Sequence, residues 1–242
     1  VLDEYKAGRA LFYSTQFLQK PYARSGGMFH AEWFNQRVKA APYSCRRIRY
    51  YDRAATDASK GYGCNTAGVL MAIDDEHNIY VEHVLVGQWA PHERNQKMRA
   101  TALRDRSKYG PRHEPRIAVE REGGSSGRDA WIGVAKALRG VPVFEDSVTG
   151  EKERRAEPWA AQLAAGTVFI VAAGSWDINA YVDEHCAFPF GAFKDRVDAS
   201  DGAYNLLTGS IPRTGGMRVF TTREGERGGL RIVACTEGHL AS

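Results

Sequence analysis

Three acidic points in the chain stand where a carboxylate needs a reason to be. Asp52 falls inside Arg46–Ala55, where side chains alternate around Ile48, Tyr50 and Tyr51 and predict a strand. A carboxylate is disfavoured in mid-strand and costly to bury unless it is paired or bound to a cation. Alternation sets Asp52 on the face of Ile48 and Tyr50, and a salt bridge to Arg47, Arg49 or Arg53 would be its purely structural use. Glu120 lies in the short strand Arg116–Arg121, on one face with Ala118 and Glu122. The turn that follows, Gly123-Gly124-Ser125-Ser126-Gly127, opens a helix whose free N–H groups favour an anion. It matches neither a Walker A nor a dinucleotide motif, and Ser125 or Ser126 capping the helix is its plainer use. In Lys194–Asp201, Asp195 and Asp198 share a helical face. First-turn acids suit the helix dipole, yet two like charges this close favour a cation between them.

Carboxylate oxygens suit Mg²⁺ or Mn²⁺ rather than zinc. Phosphodiester hydrolysis is the reaction that uses such a site, with two ions roughly 3.5–4 Å apart activating a water and stabilising the leaving oxygen.

The elements that must position these acids follow from periodicity. Arg46–Ala55, Gly68–Asp74 and Asn78–Gly87 read as three strands of an antiparallel meander. Helices are predicted over Pro91–Tyr109, Ser125–Arg139, Glu151–Ala165 (closing at Gly166), Asp177–Cys186 and Lys194–Leu207. Strands are predicted over Arg116–Arg121, Val141–Phe144 and Thr167–Ala172. A meander followed by alternating strands and helices implies an α/β fold, a mixed sheet with helices on both faces. Residues 1–42 show no core-forming periodicity and predict a lead-in or linker, 43–208 the folded domain, and 209–242 a basic, Gly-rich extension. In that extension Met217–Thr221 could form a hairpin with Leu230–Ala234.

Composition sets outer limits. A chain of 242 residues can bury one sizeable core. Cys45, Cys64, Cys186 and Cys235 are scattered, with no CxxC pair, which argues against structural zinc and a disulfide scaffold and for reduced thiols in a cytoplasm. No apolar run is long enough to cross a bilayer, and Val1–Lys20 does not read as a signal peptide. The absence of an initiating Met suggests a fragment or processed chain. The net charge of +4 says little, but basic residues crowd Arg94–Arg128, Lys152–Arg155 and Arg213–Arg231.

The same residues resemble the C-terminal nuclease domain of the large terminase subunit of tailed bacteriophages. Tyr50-Tyr51-Asp52-Arg53-Ala54 is similar to that family's first acidic strand motif. The run Ile117–Gly127 resembles the second, a strand ending in an acid before a Gly-Ser turn. Gly191–Ala199 resembles the third, Thr149–Pro158 a Lys/Arg-Ala segment, and Gln16–Phe34 the stretch joining motor to nuclease. The resemblance spans about the first 208 residues. Two departures stand out: Lys194 replaces the first of two adjacent Asp residues, and Gly61-Tyr62 stands where an Asp-Tyr pair is usual, with Asp57 as a substitute. There is no P-loop, so the ATPase is not in this chain.

The resemblance implies an RNase H-like fold and cleavage of concatemeric double-stranded viral DNA during genome packaging, in the cytoplasm of the infected bacterial host. It implies one or two Mg²⁺ or Mn²⁺ ions, with Asp52 bridging, Glu120 and Asp195 holding one each, and Asp198 as a further ligand. Arg128, Lys152, Arg155 and Lys194 are the expected phosphate contacts. The implied partners are double-stranded DNA, the terminase ATPase domain, the small terminase subunit and the portal, with no membrane. Two rivals are another nuclease of the same fold, such as a junction resolvase, and a DNA-binding module that no longer binds metal.

Overall fold

The computed structural model describes residues 27–53, 65–121, 124–148, 150–209 and 218–219. They form an eight-stranded mixed sheet with helices on both faces. In chain order the strands are β1 (Arg37–Val38), β2 (Arg46–Asp52), β3 (Thr66–Ile73), β4 (Ile79–Gly87), β5 (Arg116–Glu120), β6 (Val143–Asp146), β7 (Val168–Val171) and β8 (Arg218–Val219). The helices are α1 (Pro91–His113), α2 (Gly124–Ala137), α3 (Lys152–Ala164), α4 (Ile178–Ala187) and α5 (Asp195–Thr208). Strand order is β1-β7-β4-β3-β2-β5-β6-β8. β2, β3 and β4 form the expected antiparallel meander, and β5 and β6 extend it in parallel from β2.

The alternation in β2 sorts its side chains between two cores. Ile48 and Tyr50 pack with Trp159, Leu163, Val197 and Ala203, from α3 and α5. Tyr51 faces the other way, among Met98 and Ala102 of α1, Trp131 and Val134 of α2, and Leu138 just past it. Beside it, Arg49 is fully buried and grips Asp105 of α1 with two hydrogen bonds, of 2.9 and 3.1 Å. Arg47 is buried against Glu82 at 2.6 Å. Both arginines are thus spent on structural pairs, not on Asp52. β3, in mid-sheet, is buried along its whole length, as a strand covered on both faces must be.

Helix ends follow the expected chemistry. Asp177 caps α4 by accepting from the Ala180 N–H at 2.9 Å. Gly166 adopts φ 73° just past α3, the left-handed geometry predicted for its cap. α1 runs past its predicted end at Tyr109, kinking at Gly110 (φ 68°).

One expectation needs correction. Residues 27–38 are part of the domain: Phe29 and Phe34 are buried in the main core and β1 pairs in parallel with β7. Their few apolar side chains pack against rings from α4 rather than forming a periodic face of their own, as in the Phe34 contacts to Tyr181 and His185. Arg218–Val219 adds to the sheet edge antiparallel to Val143–Phe144 of β6. Leu230–Ala234 lies outside the described residues. No helix among the described residues is long and apolar enough to cross a membrane.

Candidate active site

Two neighbouring parallel strands end on acids. The register that places Tyr51 opposite Val119 sets Asp52 beside Glu120 where β2 and β5 end. Glu120 in turn lies opposite Asp146, the last residue of β6. Such strand ends are where open α/β sheets gather ligands. α5 crosses beneath and brings a third group. Its Asp195, Asp198 and Asp201 follow at three-residue spacing, so a single helical face carries all three towards the strand ends.

The close approach of α5 is possible because of Gly202. A Cβ there would meet the Tyr50 ring at 2.3 Å. Tyr50 uses that space to reach the acids, its hydroxyl donating to Asp146 Oδ2 at 2.7 Å and standing 3.4 Å from Glu120 Oε2.

Lys152 and Arg155, one turn apart at the start of α3, are the cations set among these acids. The Lys152 ammonium pairs with Asp198 Oδ2. Arg155 lies deeper, 7% exposed, with Nη1 3.5 Å from Glu120 Oε1, Nη2 3.6 Å from Asp198 Oδ1 and Nε 4.0 Å from Asp201 Oδ2. Asn205 of α5 donates to the Arg155 carbonyl oxygen at 3.1 Å and ties the two helices together. At the rim, Asn65 donates to Asp195 Oδ2 at 3.3 Å.

The electrostatics follow from crowding. Burial, then Glu120, Asp198 and Asp195, push the Asp52 carboxyl well above the usual carboxylate range, with Lys152 pulling against them. Burial raises Glu120 as well, with Arg155 and Lys152 opposing and Asp198 adding. Asp195 is raised by burial and by Asp198, against its bond from Asn65. Asp201 is driven well above the usual range by burial, although Arg155 opposes. The same field raises Lys152 and Arg155: burial lowers each, but Asp198 outweighs it for Lys152 and Asp201, Glu120 and Asp198 do so for Arg155.

The donor set fits a hard divalent cation. The oxygens on offer are carboxylate oxygens, and buried Asp198 Oδ1 and Asp201 Oδ2 accept no hydrogen bond from the described residues. Among the described residues, no three acids, histidines or cysteines are yet gathered closely enough to hold an ion on their own.

Of the residues singled out in the sequence, Asp52, Glu120, Asp195, Asp198, Lys152 and Arg155 come together in this cluster. Lys194 stands at the start of α5 with its ammonium 5.9 Å from the Phe188 ring centroid. The side chain of Arg128 and the whole of Asp57, Gly61 and Tyr62 lie outside the described residues. Sequence reasoning passed over Tyr50, Asn65, Asp146 and Asp201 as members of the site. Asp146 had a usable signal, an acid closing a strand beside Glu120, and Asp201 continued the three-residue spacing of Asp195 and Asp198.

No protein-family model matches the chain, and no curated protein matches it in sequence. Solved structures do. The Mn-soaked, inhibitor-bound nuclease domain of the human cytomegalovirus terminase superposes with a TM-score of 0.59 at 15% identity, over 74% of this chain and 95% of that one. The large terminase nuclease of the thermophilic phage G20c, with bound magnesium, superposes at 0.53 and 10% identity, over 76% and 98%. At such identities the likeness is one of fold. The chain therefore has the fold of the terminase nuclease domains, the RNase H-like arrangement that the resemblance implied.

Proposed function

We propose that this chain is a metal-dependent endonuclease that cuts double-stranded viral DNA during genome packaging. One observation carries the reading: Asp52, Glu120, Asp195 and Asp198 converge from two strand ends and a helix, each of the first three held above the usual carboxylate range. The fold supports it, because the solved structures that it resembles include terminase nucleases, one soaked with manganese and one carrying magnesium.

Asp52, Glu120, Asp195 and Asp198 would hold Mg²⁺ or Mn²⁺, which supplies an activated water and a polarised scissile phosphate. Tyr50 fixes the Asp146 carboxyl by donating its hydroxyl proton and stands beside Glu120. Arg155 holds Glu120, Asp198 and Asp201 from below. Lys152 and Lys194 face DNA phosphates at the rim and orient the backbone without reading sequence. A motor ATPase, a small terminase subunit and a portal are the partners this role requires, in the cytoplasm of an infected bacterium.

The test is plasmid digestion with EDTA, Mg²⁺ or Mn²⁺. Nicking and linearisation that need metal and vanish in Asp52→Asn, with the variant's circular dichroism unchanged, support the assignment. Normal cutting by Asp52→Asn sinks it. One feature favours a second reading, a DNA-binding module without catalysis: Lys152 sits on Asp198, and the described acids do not yet close on one point. That reading predicts salt-sensitive DNA binding with no cleavage under any metal.

A further inference from the structure

Lys152 differs from the other cation of the site in ways that matter for metal entry. Arg155 is buried, held by three carboxyls and anchored through its own carbonyl. Lys152 is the first residue of α3, and its side chain is 52% exposed while that of its partner Asp198 is 2% exposed. A lysine on a flexible four-carbon stem leaves such a position at small cost. Its charge nevertheless bears on Asp52, Glu120, Asp195 and Asp201, acids drawn from three elements. Asp198 bears on the same four. The Lys152–Asp198 pair is therefore the electrostatic centre of the cluster.

Building on the nuclease reading, we propose that Lys152 neutralises the acids in the metal-free protein by occupying Asp198, and that a DNA phosphate must draw it off before a divalent ion binds there. An ammonium on Asp198 Oδ2 and a dication at Oδ1 repel, so each weakens the other's hold on that buried carboxylate. A phosphate offers the ammonium another partner within reach of its stem. Metal and DNA then bind cooperatively, and by linkage each tightens the other by one common factor. The scattered state of the acids fits this picture, since a lysine balances them by charge without drawing them into a coordination shell. The device confines metal loading, and so cutting, to DNA-bound protein.

Mn²⁺ affinity is the direct readout, measured by calorimetry and by the resonance of free Mn²⁺, with and without a phosphorothioate duplex that resists cleavage. Lys152→Met should bind Mn²⁺ about tenfold more tightly than wild type when no DNA is present, because a competing unit charge is gone. Duplex should tighten Mn²⁺ binding to the wild type and leave the Met variant nearly unchanged. Lys152→Arg, which keeps the charge, should behave like wild type. Circular dichroism in EDTA checks the fold, and Lys152→Gln is read in the same way should Met perturb it. Unchanged or weaker Mn²⁺ binding by the neutral variants overturns the proposal while leaving the nuclease reading intact if wild type cuts. Absence of Mn²⁺ binding by every protein, with or without duplex, overturns both.

Discussion

Arg155 shows how much a single buried side chain can carry. It lies between the strand-end acid Glu120 and the helical acids Asp198 and Asp201, and it has almost no exposure. Removing one partner of a buried charge set leaves the others uncompensated, a loss of about 3–5 kcal/mol. Arg155→Met should therefore lower the unfolding free energy in EDTA, read from urea titration, by that order, and Mg²⁺ should recover part of the loss by replacing the missing positive charge. Full wild-type stability without metal would show that the acids are already protonated and do not need the guanidinium. Asp52 behaves differently. It lies at the end of a strand among other acids, so Asp52→Asn removes repulsion and should leave the fold at least as stable while ending metal-dependent cutting. Stability and activity thus move in opposite directions at Asp52 and together at Arg155, which separates a metal ligand from a support.

At the scale of elements, the site depends on how closely α5 lies against β2. Gly202 sets that distance: a methyl group there would meet the Tyr50 ring at 2.3 Å, and that ring is fully buried. Overpacking of this kind costs about 1–3 kcal/mol. It would also move Asp198 and Asp201, which precede Gly202 on the same helix. Gly202→Ala should fold with a lower melting temperature and bind Mn²⁺ more weakly, both measurable by thermal denaturation with and without metal. A variant that melts lower yet binds Mn²⁺ unchanged would separate the packing of α5 from the placement of its acids. The hydrogen bond from Asn205 to the Arg155 carbonyl makes α3 and α5 one unit, so cations and acids move together.

For the whole molecule, concentrating acids at one edge of the sheet has a cost that pH can reveal. Asp52, Glu120, Asp195 and Asp201 are all held above the ordinary carboxylate range. The unfolded chain therefore releases these protons at lower pH than the folded one. Their contribution to stability is complete below about pH 4, the ordinary carboxylate value, and is lost as pH rises through the raised folded values. In EDTA the urea midpoint should fall as pH rises from about 4, the ordinary carboxylate value, towards neutral pH. Mg²⁺ or Mn²⁺ at the upper pH should restore it, since a ligand that binds only the folded state stabilises that state. A midpoint that rises over the same window without metal would contradict the crowded, metal-free cluster.

The sequence by itself determined the elements and most of the acids. Period-two alternation marked β2 and placed Asp52 on the face of Ile48 and Tyr50; three-residue spacing put Asp195 and Asp198 on one face of α5; and Gly166 closed α3. These are local signals, carried by neighbours a few residues apart. What joins the elements is not local. That Arg47 and Arg49 pair with Glu82 and Asp105, leaving Asp52 to the acid cluster, depends on which helix covers which face of the sheet. That Lys152 lies on Asp198, and Arg155 beneath Glu120, depends on α3 packing beside α5, and nothing in either segment announces the other. Phe29 and Phe34 gave no periodic pattern because they fill a gap beside α4 rather than form a face of their own. Asp146 joined the site only through its pairing with Glu120 across the parallel strands. Spacing along the chain fixes which way a side chain faces; burial across it decides what that side chain meets.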